Sequence, residues 1–213
     1  MFLAFSVNSC IDQVNDPDII ELSEAESLEI LNSPELQSFQ ANREKFIQKV
    51  GYAIDSKGYS QKELESLTIK AIKTHNEDQI LEILFDTKEN GMAYLEELNQ
   101  SRTNLLKQYP ILNRIREQEG GSNLSLEANA TMFYGNFNEI SKLKFTIAES
   151  NRSVANAVGD PVCGSAWNQV KVAACATACS LSTGGLGTVL CGWACWCTFC
   201  PRDSELTEII CAN

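Results

Sequence analysis

Residues 191–200 read CGWACWCTFC, four cysteines interleaved with two tryptophans and a phenylalanine. Sulfur at that density can hold a metal, supply a nucleophile, or cross-link a segment with little core of its own. The chain has nine cysteines. Cys163, Cys175, Cys179, Cys191, Cys195, Cys197, Cys200 and Cys211 fall within residues 163–213, and Cys10 stands apart. Structural zinc takes closely spaced pairs of thiolates, or thiolates with histidine. Cys197 and Cys200 have that spacing and would make one half-site, but no second Cys-x-x-Cys follows, and the single histidine, His75, lies far away in sequence. A nucleophilic thiolate needs a neighbouring base or a depressed pKa, and His75, next to Asn76, reads as a solvated turn residue. The run GGLG at 184–187 lacks the Lys-Ser/Thr of a phosphate loop and reads as a turn. The sequence therefore predicts no metal, no cofactor and no enzymatic activity. An even cluster of eight cysteines reads instead as four disulfides made in an oxidising compartment.

The spacing suggests how such staples are arranged. Cys175 and Cys179 lie four apart, as do Cys191 and Cys195, and residues at i and i+4 share one face of a helix. Two short helices folded back around LSTGGLGTV would bring the pairs together and predict Cys175–Cys195 and Cys179–Cys191, a geometry shared with the twin Cys-x-x-x-Cys hairpins of small mitochondrial chaperones. Other pairings of eight cysteines remain open. Residues 172–201 carry no charge, long enough for a span, since about twenty apolar residues cross a bilayer. Serines, threonines and glycines at the middle of that run argue against a span. Trp167, Trp193, Trp196 and Phe199 are then the expected contacts with a membrane surface or a membrane-bound receptor, because aromatic rings favour the bilayer interface.

The elements that must position these residues lie upstream. The formal net charge is −11. Lys171 and Arg202 stand against Asp203, Glu205 and Glu208, so residues 163–213 carry −1 of that total and residues 1–162 carry −10. A chain so acidic is not expected to bind nucleic acid. Ser33-Pro34 is a helix start, and Leu36, Phe39, Phe46, Ile47, Val50 and Ile54 form an apolar stripe at helical spacing. Gly58 ends it, and Ser60 with Glu63 makes a capping box for the next helix. Ile80, Leu81, Leu84 and Phe85 mark a short third helix. Residues from Met92 to Tyr109 mark a long fourth, stopped or kinked at Pro110. Asn90-Gly91 and Gly120-Gly121 read as breaks. The segment around MFYGNF reads as a strand or an irregular packed stretch. The predicted fold is mainly α: an acidic helical region followed by a small disulfide-rich unit containing a helical hairpin. The boundaries are 23–121 for the helical region, 122–162 for an uncertain segment and linker, and 163–213 for the cysteine-rich unit.

Residues 1–10, MFLAFSVNSC, resemble the end of a lipoprotein-type signal. Val7 and Ser9 fit the residues before a lipidated cysteine, Asn8 is unusual there, and the positive region expected before the apolar run is missing. Cys10 is thus the expected lipidation site, with residues 11–22 as a tether. The whole layout, an acidic helical region before CGSAWNQVKVAACATACSLSTGGLGTVLCGWACWCTFCP, resembles the bacterial proteins described as bacteriocin fulvocin C-related. The resemblance covers residues 163–213 and rests on half-cystine density, small-residue turns and interleaved aromatics, without a fixed catalytic motif. It implies a secreted or surface-anchored precursor in the bacterial cell envelope, whose stapled tail contacts membranes or a surface receptor. Gly120-Gly121, similar to a double-glycine leader end, fits that implication. The tail lacks the positive charge of many membrane-killing peptides. The alternative is a non-toxic envelope lipoprotein with a cysteine-rich binding module, and an immunity or export partner remains unidentified.

The even cysteine count makes one outcome measurable. Alkylation of the native protein before reduction should leave residues 163–213 unmodified in intact mass spectrometry, and alkylation after reduction should add eight groups there; several free thiols together with bound zinc would instead establish the metal site.

Overall fold

The computed structural model describes residues 19–119, 125–141, 163, 165–178, 184–200 and 211. Among these residues the chain forms ten helices and no strand, so the mainly α fold with a disulfide-rich C-terminal part is what the protein adopts. In chain order they are α1 (Glu24–Leu31), α2 (Pro34–Lys57), α3 (Gln61–Thr74), α4 (Asp78–Phe85), α5 (Lys88–Gln108), α6 (Ile111–Glu119), α7 (Leu126–Gly135), α8 (Phe137–Ile140), α9 (Ala166–Ala178) and α10 (Gly184–Phe199).

Short polar residues set most of the starts. A helix leaves its first amides without partners, and a serine or threonine just before it can satisfy one of them. Ser33, Ser60, Thr87 and Ser125 each accept from the amide three residues on. Ser23 and Ser60 belong to full capping boxes, with Glu26 and Glu63 accepting in return from the cap amides. Gly58 closes α2 with φ +78°, a left-handed conformation that costs a residue without a Cβ little. Tyr109 and Pro110 separate α5 from α6, as a proline beyond the last helical amide requires.

The two longest helices, α2 and α5, pack on each other; α4 lies against α5, and α3 lies against α7. A row of rings marks the middle of this packing. Phe85 stacks on Tyr94 at 4.5 Å between centroids, Tyr94 faces Phe46 at 6.3 Å, and Phe46 faces Phe133 at 6.1 Å. Two buried hydroxyls are satisfied locally. Tyr94 donates to the Asn42 carbonyl at 2.9 Å, and Tyr134 pairs with Thr68 at 2.9 Å. Burial pushes both phenols well above their ordinary range, so they stay neutral.

Three sequence expectations are corrected by packing. Asn90-Gly91 is not a break: α5 runs through it, capped by Thr87. Gly91 is there because α4 comes so close that a Cβ would fall 2.6 Å from Leu81 Cβ. MFYGNF is neither strand nor irregular but lies in α7 and α8, where Phe133, Tyr134 and Phe137 are buried in the shared core. GGLG is not a turn but the first turn of α10, with Leu186 buried. Short aromatic or glycine-rich runs carry no period of their own, so tertiary burial decides their conformation. Gly120-Gly121 and residues 142–162 lie outside the described residues.

Two helical glycines should respond oppositely to alanine. Alanine is favoured over glycine in a helix by about 1 kcal/mol, and overpacking costs about 1–3 kcal/mol. Gly91→Ala should therefore lower stability in chemical denaturation by up to about 2 kcal/mol. Gly135→Ala, where an added Cβ meets nothing within 4 Å, should leave it unchanged or raise it.

Candidate functional site

The cysteine-rich segment forms an antiparallel pair of helices. Cys163, just before α9, bonds Cys200, just after α10, and Cys175 near the end of α9 bonds Cys195 in α10. Cys197 bonds Cys211. The Cα separations are 4.4, 5.7 and 5.4 Å, all within the reach of a cystine. Cys191 is also disulfide-bonded. Cys179, expected opposite it, lies outside the described residues, as does Cys10. The bridged sulfurs are oxidised and so are not thiolate ligands or nucleophiles. Among the described residues, no three of His, Cys, Asp and Glu converge to hold a metal ion.

The hairpin does not stand alone. Its residues share one hydrophobic core with the upstream helices. α9 lies on α1 and α6, and α10 lies on α7 and α5. Packing therefore continues across residue 163. Trp193 is 1% exposed and Trp196 is 6% exposed. Trp193 continues the ring row of the bundle, 6.4 Å from Phe133, and Trp196 meets Trp193 edge-on at 6.0 Å. Both rings are covered in this conformation. The physical reason is size: a hairpin of two short helices has too much surface for its volume to bury such rings alone, and the bundle supplies the missing cover. Trp167 and Phe199 are half-buried. They flank Lys171, whose ammonium lies 5.7 Å from the Trp167 ring and 5.5 Å from the Phe199 ring. Lys171 also pairs with Glu119 of α6 at 3.9 Å. No described helix is long and apolar enough to cross a membrane.

Bundle side chains meet the hairpin at three polar points. Arg102 of α5 donates from Nε to the Thr177 carbonyl at 2.6 Å. That carbonyl belongs to the last turn of α9, where a cation suits the helix dipole. Burial, then nearby Arg116, lowers the Arg102 pKa from its ordinary value. Glu77, between α3 and α4, lies near the Leu186 amide in the first turn of α10, and that amide favours its charged form. Burial raises the Glu77 carboxyl from 4.5 to about 7, and the Leu186 amide draws it back only in part. The third point is Arg43 of α2, which is buried with its guanidinium against α10. A Cβ at Gly192 would fall 2.6 Å from Arg43 Cζ, so only glycine leaves that space. Burial lowers the Arg43 pKa to about 10, with Tyr94 and Glu44 opposing the shift, and it stays charged at neutral pH.

Sequence reasoning missed all three points. Arg43, Glu77 and Arg102 resemble other charged helix residues in a chain rich in them, and nothing in their local spacing points to a segment so distant in sequence. The glycine at 192, inside an otherwise continuous helical run, was the available signal.

Buried disulfides fit a protein folded in an oxidising, extracytosolic compartment. The chain matches no family profile, no curated protein and no solved structure.

The Glu77 contact predicts a pH dependence. Its folded pKa is raised above its unfolded value, so between about 4.5 and 7 the folded state holds a proton that the unfolded state has lost. Its contribution to stability is full below 4.5, declines as pH rises through that window, and levels off above 7. Glu77→Gln should abolish this slope: the melting temperature of the natural protein should fall relative to the variant from pH 4.5 to 7 and run parallel to it above. Parallel curves throughout would show that Glu77 titrates normally.

Proposed function

We propose that the protein is a bacteriocin-like precursor, secreted or anchored at the bacterial cell envelope, in which the upstream helices store a disulfide-stapled hairpin. Once freed, the hairpin contacts a membrane surface or a membrane-bound receptor. The observation that carries this reading is a contrast between two kinds of bond. The three described cystines with both partners in view join residues of 163–211 to one another, and the hairpin meets the bundle through packing and hydrogen bonds. Cutting the connection would therefore leave a hairpin that these three cystines cross-link without tying it to the bundle. The rings it would then expose, Trp193 and Trp196, are those suited to a bilayer interface. Lipid modification at Cys10 would place the store at the envelope, and residues 11–22 would tether it.

A second reading has its own support. Trp167, Lys171 and Phe199 are accessible without any release, and a clustered cation and rings suit a fixed binding face. On that reading the protein is a non-toxic envelope lipoprotein and the cysteine-rich part is a binding module.

A protease site inserted within residues 156–162 separates the two. All three tryptophans lie in the tail, so emission reports on the tail alone. After cleavage and addition of excess lipid vesicles, the tail fragment should pellet with the vesicles and leak an entrapped dye, while the uncut chain stays in the supernatant. If cut and uncut protein both ignore vesicles, and the cut protein does not inhibit bacterial growth, the binding-module reading stands and the precursor reading fails. Cys10→Ser should release the uncut protein from the membrane fraction.

A further inference from the structure

The described cystines are not equally placed. Cys175–Cys195 joins α9 to α10 and is buried on both sides. Cys163–Cys200 closes the open end of the hairpin, just before α9 and just after α10, and both halves are again buried. Cys197–Cys211 differs. Cys197 sits in the last turn of α10, next to exposed Thr198, and is itself partly exposed. A disulfide is opened by a thiolate that must reach one of its sulfurs, so access ranks bonds of similar chemistry. Of the three bridges with both halves in view, Cys197–Cys211 alone has a half that reaches solvent. A second observation concerns what lies beside it. The Cys200 amide donates to the Trp196 carbonyl at 2.9 Å, so the helical path of α10 continues through Cys200. Cys197 and Cys200 are therefore neighbours three residues apart on one face, where Cβ atoms lie about 5–6 Å from each other. Each is bonded to a different partner. A thiolate freed at Cys197 has the Cys200 sulfur within one helical turn.

From this juxtaposition we infer that the end of α10 is a thiol–disulfide exchange site whose co-reactant is a dithiol, and that exchange there opens the hairpin in two stages. In the first, one thiolate of the dithiol attacks the Cys197 sulfur; the Cys197–Cys211 bond breaks and Cys211 leaves as a thiolate. The dithiol's second thiolate then attacks its own sulfur in this mixed disulfide, so the dithiol departs oxidised and Cys197 is left as a thiolate. In the second stage the Cys197 sulfur attacks Cys200. A Cys197–Cys200 bond forms, the Cys163–Cys200 bond breaks, and Cys163 leaves as a thiolate. Water protonates Cys163 and Cys211. Two protein cystines have become one, and one dithiol has been oxidised. Cys163 and Cys200 close the open end, so the exchange parts the start of α9 from the end of α10. Trp167 and Phe199 lie at those two ends, flanking Lys171, and a dithiol thereby unmakes that face without any cut in the chain. Cys175–Cys195, out of reach of solvent, stays closed and keeps the helices paired. The inference is independent of both readings of the protein's function, since it needs neither release of the hairpin nor a membrane.

The experiment uses the full oxidised chain with dithiothreitol as the dithiol. Samples are quenched in acid at intervals, free thiols are tagged with N-ethylmaleimide at low pH, and the disulfides are mapped in acid digests. The first molecules to react should carry tags on Cys211 and Cys163, a new Cys197–Cys200 bond and an intact Cys175–Cys195 bond. A double variant, Cys197→Ser with Cys211→Ser, removes the entry point. Because attack from a neighbouring residue is then replaced by attack from solution on a buried bond, Cys163–Cys200 should open roughly tenfold more slowly, or slower still. Circular dichroism checks folding; if the double variant fails to fold, the map of the natural chain decides. Opening of Cys175–Cys195 before Cys197–Cys211, or loss of all bridges together, overturns the entry at Cys197. Tags on Cys197 and Cys211 with no Cys197–Cys200 bond at any time, or an unchanged opening rate of Cys163–Cys200 in the folded double variant, overturns the exchange.

Discussion

The structure depends on the seating of α10 against the bundle, and that seating depends on Trp193. Large rings contribute most to a core when they are fully covered. Trp193 is covered from one side by Phe133, which itself extends the row Phe85, Tyr94 and Phe46. The row crosses from α2, α4 and α5, through α7, into the cysteine-rich segment. One hydrophobic core therefore contains residues from both ends of the described chain. Neither part keeps its core if the other is removed: the hairpin loses the cover for Trp193 and Trp196, and the bundle loses the ring that closes over Phe133.

The disulfides act at a different level. They shape the hairpin without attaching it to the bundle, since the described pairs all connect residues between 163 and 211. A cystine acts mainly by restricting the unfolded chain, by about 2–4 kcal/mol each in typical cases. Three of them give a short segment a definite shape that its few apolar contacts could not give it. Packing then supplies the cover.

Charge at the seat is placed with care because α9 and α10 contribute so little of it. α10 has no ionisable side chain outside its cystines, and α9 has Lys171 alone. Backbone polar groups at helix ends are costly to leave buried and unmade. Arg102 of the bundle bonds one of them, the Thr177 carbonyl. Arg43 carries a larger burden, since a buried guanidinium loses its hydration. Its position beside Gly192 limits which helix can lie there, so what is costly in stability sets the register of α10 on α2.

The sequence by itself determined the helices whose signals are local. Ser33 before Pro34, the Ser60–Glu63 box and Gly58 each act within a few residues, so α2 and α3 were legible with their boundaries, as was the stop before Pro110. The spacing of Cys175 and Cys195 likewise foretold their bond, because i, i+4 cysteines on facing helices leave few geometries. Only the tertiary structure decided the rest. Gly91 reads as a break until Leu81 is seen beside it, and MFYGNF has no period until Phe133 is seen under Trp193. The tryptophans of CGWACWCTFC look like an exposed face because a local reading counts only the hairpin's own residues. Their burial is decided by helices more than fifty positions away, and no pattern along the chain records a contact at that distance.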